Sequence, residues 1–159
     1  MIDRVVDALA ASRIETTHAV VSPLAPATCE HVGLPTIETP GDGYVSDLLV
    51  AADSIDRPVL TVAADLPLLT GAVVDAFLDV HAAGPGGSLA ACVPVSLKRR
   101  LGASVGETKS VDGREVAPTG LNVVGGAAGR RDGVHLSDDA RRAVNVNRRS
   151  DADLAEALL

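Results

Sequence analysis

Residues 59–70 read VLTVAADLPLLT. A run of apolar and small residues from Val59 to Ala64 ends in a single carboxylate, Asp65, and Pro67 follows two residues later. A short continuous apolar run of this kind is the pattern of a strand buried on both faces of a parallel sheet. The proline stops it, because proline cannot donate to a ladder. In open α/β sheets, ligands bind outside the carboxyl ends of the strands, and Asp65 stands at one such end. On its own it has two readings. It can shape the turn, by accepting hydrogen bonds from backbone N–H groups just beyond it. It can also hold magnesium, which prefers one or two carboxylates together with phosphate oxygens and water.

Working outward from this strand, the chain alternates helical and strand patterns. Ile2, Val5, Val6 and Leu9 fall at helical spacing, which predicts a helix over 2–12. HAVVS (18–22) and PTIET (35–39) read as short strands, with at most one helical turn in 23–33. A helix is expected over 44–52, and another from a Thr70 cap to about residue 82. GPGG (84–87) is a loop and 88–95 a strand. Residues 96–117 read as a less regular insert, in which VDGR (111–114) carries the Asp-Gly signal of a tight hairpin. A strand follows at 121–124 and a last one at 143–147. Ser137 and Ser150 are each expected to open a helix, the second through a capping box in SDAD (150–153). The result is one α/β domain over residues 1–159: three layers, with a mainly parallel sheet covered by helices on both faces.

Composition narrows the function classes. The 159 residues carry a formal net charge of −7, which argues against a broad nucleic-acid surface. No apolar run approaches a membrane span. No signal-peptide pattern is visible at Asp3 and Arg4, so the default location is the cytoplasm. Phe77 and Tyr44 are the only aromatic residues, and Lys98 and Lys109 the only lysines. An acidic, lysine-poor chain suits a protein made in high salt, although a GC-rich genome gives the same bias. Cys29 and Cys92 are read as two free thiols.

Other candidate positions cluster at strand ends. PGDGYVSD (40–47) places Gly41 and Gly43 directly after a strand and before a helix, where the backbone can approach a flat ligand and free N–H groups point outward. Period-two alternation would turn Asn145 and Asn147 to one side of the last strand, and two amides there suit phosphate, hydroxyl or metal neighbours. A turn ahead of the next helix serves these two asparagines equally well. KRR (98–100) reads as a solvated basic turn, with contact to a substrate phosphate as the other reading. GGAAGR (125–130) follows a strand, as a phosphate loop would, but lacks the Gly-Lys-Ser/Thr ending.

Taken together and in order, TPGDGYVSDL (39–48), VLTVAADLPLL (59–69), PTGLNVV (118–124), VNVN (144–147) and DADLAE (151–156) resemble the archaeal GTP:adenosylcobinamide-phosphate guanylyltransferases. These are a branch of the MobA-like nucleotidyltransferases, and the resemblance covers essentially the whole chain. It implies a Rossmann-like nucleotidyltransferase fold and transfer of GMP from GTP to adenosylcobinamide-phosphate, with release of pyrophosphate, in cobalamin biosynthesis. It implies Mg2+ as cofactor and GTP and adenosylcobinamide-phosphate as partners. By the same resemblance Asp65 would be the catalytic carboxylate and hold Mg2+ with Asn147. Gly41, Asp42 and Gly43 would lie beside the nucleoside. Thr119, Gly120, Asn122, Asn145 and Asn147 would line the site for the second substrate. A related transferase with another acceptor, such as molybdopterin or a sugar phosphate, is the alternative, and so is a binding protein without turnover.

One departure bears on activity. The family opens with a strand, a Gly-Gly-x-Gly-Thr-Arg loop and a Glu-Lys-Pro segment, whereas this chain opens on the helix pattern at Ile2. Roughly 30 residues, about one strand–loop–helix unit, are then expected to be absent. A misplaced start at Met1 is the preferred explanation. A sheet without its central strand would expose two apolar edges. The chain as written is expected to be less stable than an extended form and to lack GTP turnover.

Overall fold

A computed structural model describes residues 1–126 and 131–159. The first helix, α1 (Ile2–Ala10), buries Val5, Ala8 and Leu9, the stripe that helical spacing brings to one side. A first layer of strands follows, β1 (Ala19–Val21) and β2 (Thr36–Glu38), paired in parallel with Val20 opposite Ile37. Between them lies α2 (Pro26–His31), and after them α3 (Tyr44–Asp53). Next come β3 (Val59–Val62) and α4 (Gly71–Ala83). Thr70 caps α4 as expected, its side chain accepting from the Val73 amide.

The second sheet has the order β3-β6-β4-β7, built from β4 (Leu89–Pro94), β6 (Arg114–Val124) and β7 (Gly133–Leu136). The short β5 (Lys109–Val111) pairs with the opening residues of β6. β3, β4 and β5 all run antiparallel to β6, and β7 runs parallel to β4. Every strand of this sheet except β6 therefore points the same way. The main core sits between the sheet and its helices. Phe77, Val74, Val73, Leu66 and Leu121 are all almost fully buried there, with Val5 and Leu9 of α1 packed against them. Phe77 also lies at 6.0 Å from the His135 ring, and the Arg142 guanidinium sits 5.7 Å over its face. Among the described residues no helix is long and apolar enough to cross a membrane.

The structure corrects several expectations. Residues 96–117 are regular for most of their length: α5 (Val95–Leu101) grows directly out of β4, and the β5–β6 hairpin follows. Only the hairpin turn was legible; Asp112 and Gly113 both have positive φ there, as a type I′ turn requires. β6 also begins earlier than expected, so Pro118, Thr119 and Gly120 lie inside a long strand rather than in the approach to a short one. Ser137 opens no α-helix. It follows β7, a strand absent from the sequence reading, and only a 3-10 turn at Ala140–Arg142 comes after it. Residues 143–147 make no strand pairing. The last helix, α6 (Arg149–Ala157), is entered through Asp151, whose carboxylate accepts from the Arg148 amide, and not through Ser150 and Asp153. β3 is half-buried along its whole length rather than buried on both faces.

The half-burial of β3 has a visible cause. A cavity of about 1040 Å³ is lined by every residue from Pro58 to Asp65 and every residue from Glu15 to Ser22. Successive side chains of a strand alternate between its faces. A cavity touched by all of them lies along the strand's edge, not against one face. β1 and β3 therefore turn unpaired edges toward one shared space. Helix α1 contributes Val5 and Leu9 to its wall, and α3 contributes Leu48 and Ala51.

Candidate functional site

Asp65 lies just past the end of β3, half-buried, and lines that cavity. Its backbone is fixed from two directions. Ala63, two residues before it, donates to the Gly120 carbonyl at 2.9 Å, and the Val146 amide donates to the Asp65 carbonyl at 3.0 Å. Asn145 Nδ2 donates to Asp65 Oδ1 at 3.1 Å and to the Thr119 carbonyl at 2.9 Å. Asp65 Oδ2 accepts no hydrogen bond from a described residue.

Residues 143–147 reach this place without ladder pairing. Two groups from one irregular segment, the Val146 backbone amide and the Asn145 side chain, meet the end of β3 and the middle of β6 instead. The period-two argument for Asn145 and Asn147 therefore does not apply, and the two asparagines differ. Asn145 is buried. Asn147 is exposed, and its backbone N–H, not its side chain, donates to Asp151 Oδ2 at 3.2 Å.

Thr119 is fully buried and works inside the sheet. Its hydroxyl donates to the Ala91 carbonyl at 3.1 Å and accepts from the Leu121 amide at 3.2 Å. Gly120 has φ +83°, and a Cβ there would stand 2.5 Å from that of Ala63. Only glycine combines that backbone angle with that contact. The β4–β6 register shifts beside this point, between Ala90 and Cys92, the local distortion by which a bulge re-aims a strand. Asn122 pairs opposite Thr61, one rung farther into the sheet than the Leu121–Val62 pair.

Gly41, Asp42 and Gly43 lie between β2 and α3, the glycines at φ +81° and +114°. The Gly41 amide donates to Asp47 Oδ1 at 3.0 Å, which folds this loop back over the first turn of α3. Tyr44 and Asp47 line the same cavity as Asp65. Partial burial, and then the negative charge of Asp65, hold the Tyr44 phenol above its ordinary pKa. The start of α3, just after the Gly41 loop, and Asp65 thus line one space, while Gly41, Asp42 and Gly43 are not part of its wall. Of GGAAGR, residues 127–130 lie outside the described residues.

Lys98 is the residue that sequence reasoning missed. Placed in a basic run, it was expected in solvent, yet it is only 2% exposed. Its Nζ donates to the Ala143 carbonyl at 2.8 Å and to Asn145 Oδ1 at 3.2 Å. Burial lowers its pKa, and the charges of Asp151 and Asp65 work against that shift. The available signal was the spacing of α5: Val95, Leu97 and Lys98 are its buried positions, while Arg99 and Arg100 point outward.

Asp151, also fully buried, ties the neighbouring loops together. It accepts from the Ser104 amide and hydroxyl at 2.8 and 2.7 Å, and from the amides of Asn147 and Arg148. Burial alone would raise its pKa, but these hydrogen bonds outweigh it and hold the carboxyl below the ordinary range.

Comparison with known proteins bears on the family and the fold. The family model described as MobA-like NTP transferase domain matches residues 1–135. An adenosylcobinamide-phosphate guanylyltransferase from Methanocaldococcus jannaschii is 28% identical over 173 residues, an alignment spanning all of this chain and 83% of the relative. Among solved structures, a hypothetical transferase from Thermus thermophilus superposes with a TM-score of 0.68 at 16% identity, over 95% of this chain and 85% of the other. At that identity the likeness shows the fold alone, a Rossmann-like α/β architecture.

Proposed function

Since the chain belongs to the MobA-like NTP transferase family, we propose that it is a guanylyltransferase that moves GMP from GTP to adenosylcobinamide-phosphate. The observation that carries the reading is Asp65: a carboxylate held at a strand end by Asn145, with no hydrogen bond to its second oxygen from a described residue, on the wall of a cavity that Tyr44 also lines. The relative from Methanocaldococcus jannaschii supports the choice of acceptor.

In this reading an oxygen of the acceptor phosphate attacks the α-phosphorus of GTP. The bond from that phosphorus to the bridging oxygen breaks, and pyrophosphate leaves with the electron pair. No covalent bond to the protein is needed, so catalysis is positioning and charge stabilisation. The donor set at Asp65 suits Mg2+, which takes hard oxygens and accepts a single protein carboxylate beside phosphates and water. Asp65 would hold it, with Asn147 as the second expected ligand. When bound, Mg2+ neutralises phosphate charge. The Gly41–Gly43 loop would receive the nucleoside, and Thr119, Gly120, Asn122 and Asn145 would shape the acceptor side.

The cavity between β1 and β3 also bears on the phosphate site, and we infer that a further strand belongs in it. One extended segment laid there would pair both open edges and join the two sheets. Run in the same direction as β3, its carboxyl end would lie near Asp65, the end at which such sheets bind ligands. The codons in frame ahead of Met1 test this. An apolar run of strand length followed by glycines supports it, and a stop codon directly ahead removes it.

Activity is tested by calorimetry and pyrophosphate release with GTP and Mg2+, using adenosylcobinamide-phosphate, molybdopterin and a sugar phosphate in turn. In a form that carries the further strand and its loop, heat and turnover with the corrinoid alone are expected, and Asp65→Ala is expected to abolish that turnover. No heat with the corrinoid removes this acceptor. Heat without turnover favours a binding role.

A further inference from the structure

Lys98 is a buried cation with no carboxylate within ion-pair distance among the described residues. Burying an ammonium group is costly unless it is well partnered. An apolar side chain would fill the same space on α5, beside Val95 and Leu97, at lower cost. Both of its contacts fall on one segment: the Ala143 carbonyl at 2.8 Å and Asn145 Oδ1 at 3.2 Å.

These contacts decide how Asn145 is oriented. An ammonium group only donates and a backbone carbonyl only accepts. With Lys98 on one side and the Thr119 carbonyl on another, the Asn145 amide has a single arrangement that satisfies both. Its oxygen faces Lys98 and its nitrogen faces Thr119. The remaining N–H then falls on Asp65 Oδ1 at 3.1 Å. Without Lys98 the Asn145 oxygen would lose its donor, and the side chain would be held through its nitrogen alone, free to swing and carry the Asp65 carboxylate with it.

We propose that Lys98 is a positioning residue: acting through Asn145, it fixes the rotamer of Asp65 and leaves Oδ2 of that carboxylate directed to the site. Lys98 touches no reacting group. It sits behind the site, two hydrogen bonds away from Asp65, and its charge adds to the polarity of the amide that holds the carboxylate. The proposal rests on Asp65 being the functional carboxylate of the proposed transferase, and its test can be separated from that reading.

The test is a double-mutant cycle with Lys98→Met and Asn145→Ala, read by NMR on the whole chain without ligand. In the parent protein both Asn145 Nδ2 protons are bonded and should exchange slowly. In Lys98→Met they should exchange at least tenfold faster, and the Asp65 carboxyl carbon should shift. In the Asn145→Ala background the Lys98 substitution should leave the Asp65 carbon where Asn145→Ala alone put it, because the effect runs through that amide. Lys98→Arg, which keeps the donors, should recover the parent exchange rate. A second reading is the affinity for Mn2+ with GTP, expected to fall about 10- to 100-fold in Lys98→Met, as for other residues that orient a ligand from behind. Unchanged Asn145 exchange and an unmoved Asp65 carbon in folded Lys98→Met overturn the proposal. So does an equal Asp65 shift in the presence and absence of Asn145. If Lys98→Met does not fold, the exchange rate in Lys98→Arg decides: parent-like exchange supports the proposal and fast exchange overturns it. If the parent protein binds no Mn2+ with GTP, the transferase reading fails, while the cycle on Asp65 still decides this one.

Discussion

The two sheets of this protein are built from similar residues and end in different states. β4 and β6 are rich in Val, Ala and Leu, and Ala91, Cys92, Val93, Val116, Leu121 and Val123 are all buried. β1 and β2 are as apolar in their middles, yet Val20 is 46% exposed and only Val21 of β1 is buried. The difference is one of neighbours. β4 is paired on both sides, by β6 and β7, and β6 is paired by β4 on one side and by β3 and β5 on the other. β1 has a single partner, and its other edge faces the cavity. Apolar residues make a strand possible, but burial needs something on the far side.

The largest effect that could break this contrast is loss of Phe77. It is fully buried against His135 and Arg142, so Phe77→Ala should cost about 3–5 kcal/mol in urea unfolding. Leu49→Ala, on the exposed side of α3, should cost less than about 0.5 kcal/mol. Similar costs at the two positions would mean that α3 is covered in solution. Gly120→Ala comes next. Its positive φ and the Ala63 contact predict a loss of about 1–3 kcal/mol, measured the same way, together with weakened binding at the Asp65 end of β3.

Smaller effects sharpen the comparison. Amide hydrogen exchange should be faster at β1 and β2 than at the paired middle of β4 and β6, because local opening is easiest where few buried contacts hold the backbone. Equal protection would remove the distinction between the sheets. The smallest effect concerns acid. The Asp151 carboxyl titrates below its ordinary value in the folded protein. Its stabilisation is therefore complete above the unfolded value of about 3.9 and is lost as pH falls through the lowered folded value. Asp151→Asn should flatten the dependence of melting temperature on pH in that acid range. An unchanged slope would show that other carboxylates carry it.

Much of the site was legible because strand ends announce themselves locally. The apolar run before Asp65, the glycines before α3 and the Asp-Gly hairpin are short-range signals, and each element lies where it was expected. The misses share a physical cause. Residues 143–147 alternate like a strand, but their partners are the end of β3 and Lys98, which no local pattern shows. β7 is short and pairs only with β4. Ser137 and Ser150 carry hydroxyls that suit caps, but Asp139 and Asp151 take the capping bonds, since a carboxylate accepts more strongly than a hydroxyl.

What the sequence alone determined is the alternation of elements, the α/β class and the acid at the end of β3, because propensity, periodicity and turn chemistry act over a few residues. What only the tertiary structure decided is the company that acid keeps. Asn145 reaches Asp65 across 80 residues of chain, Lys98 turns inward to hold Asn145, and the edges of β1 and β3 share one cavity. Those contacts depend on packing among distant segments, where a lysine in a basic run can be buried and an apolar strand can be left open.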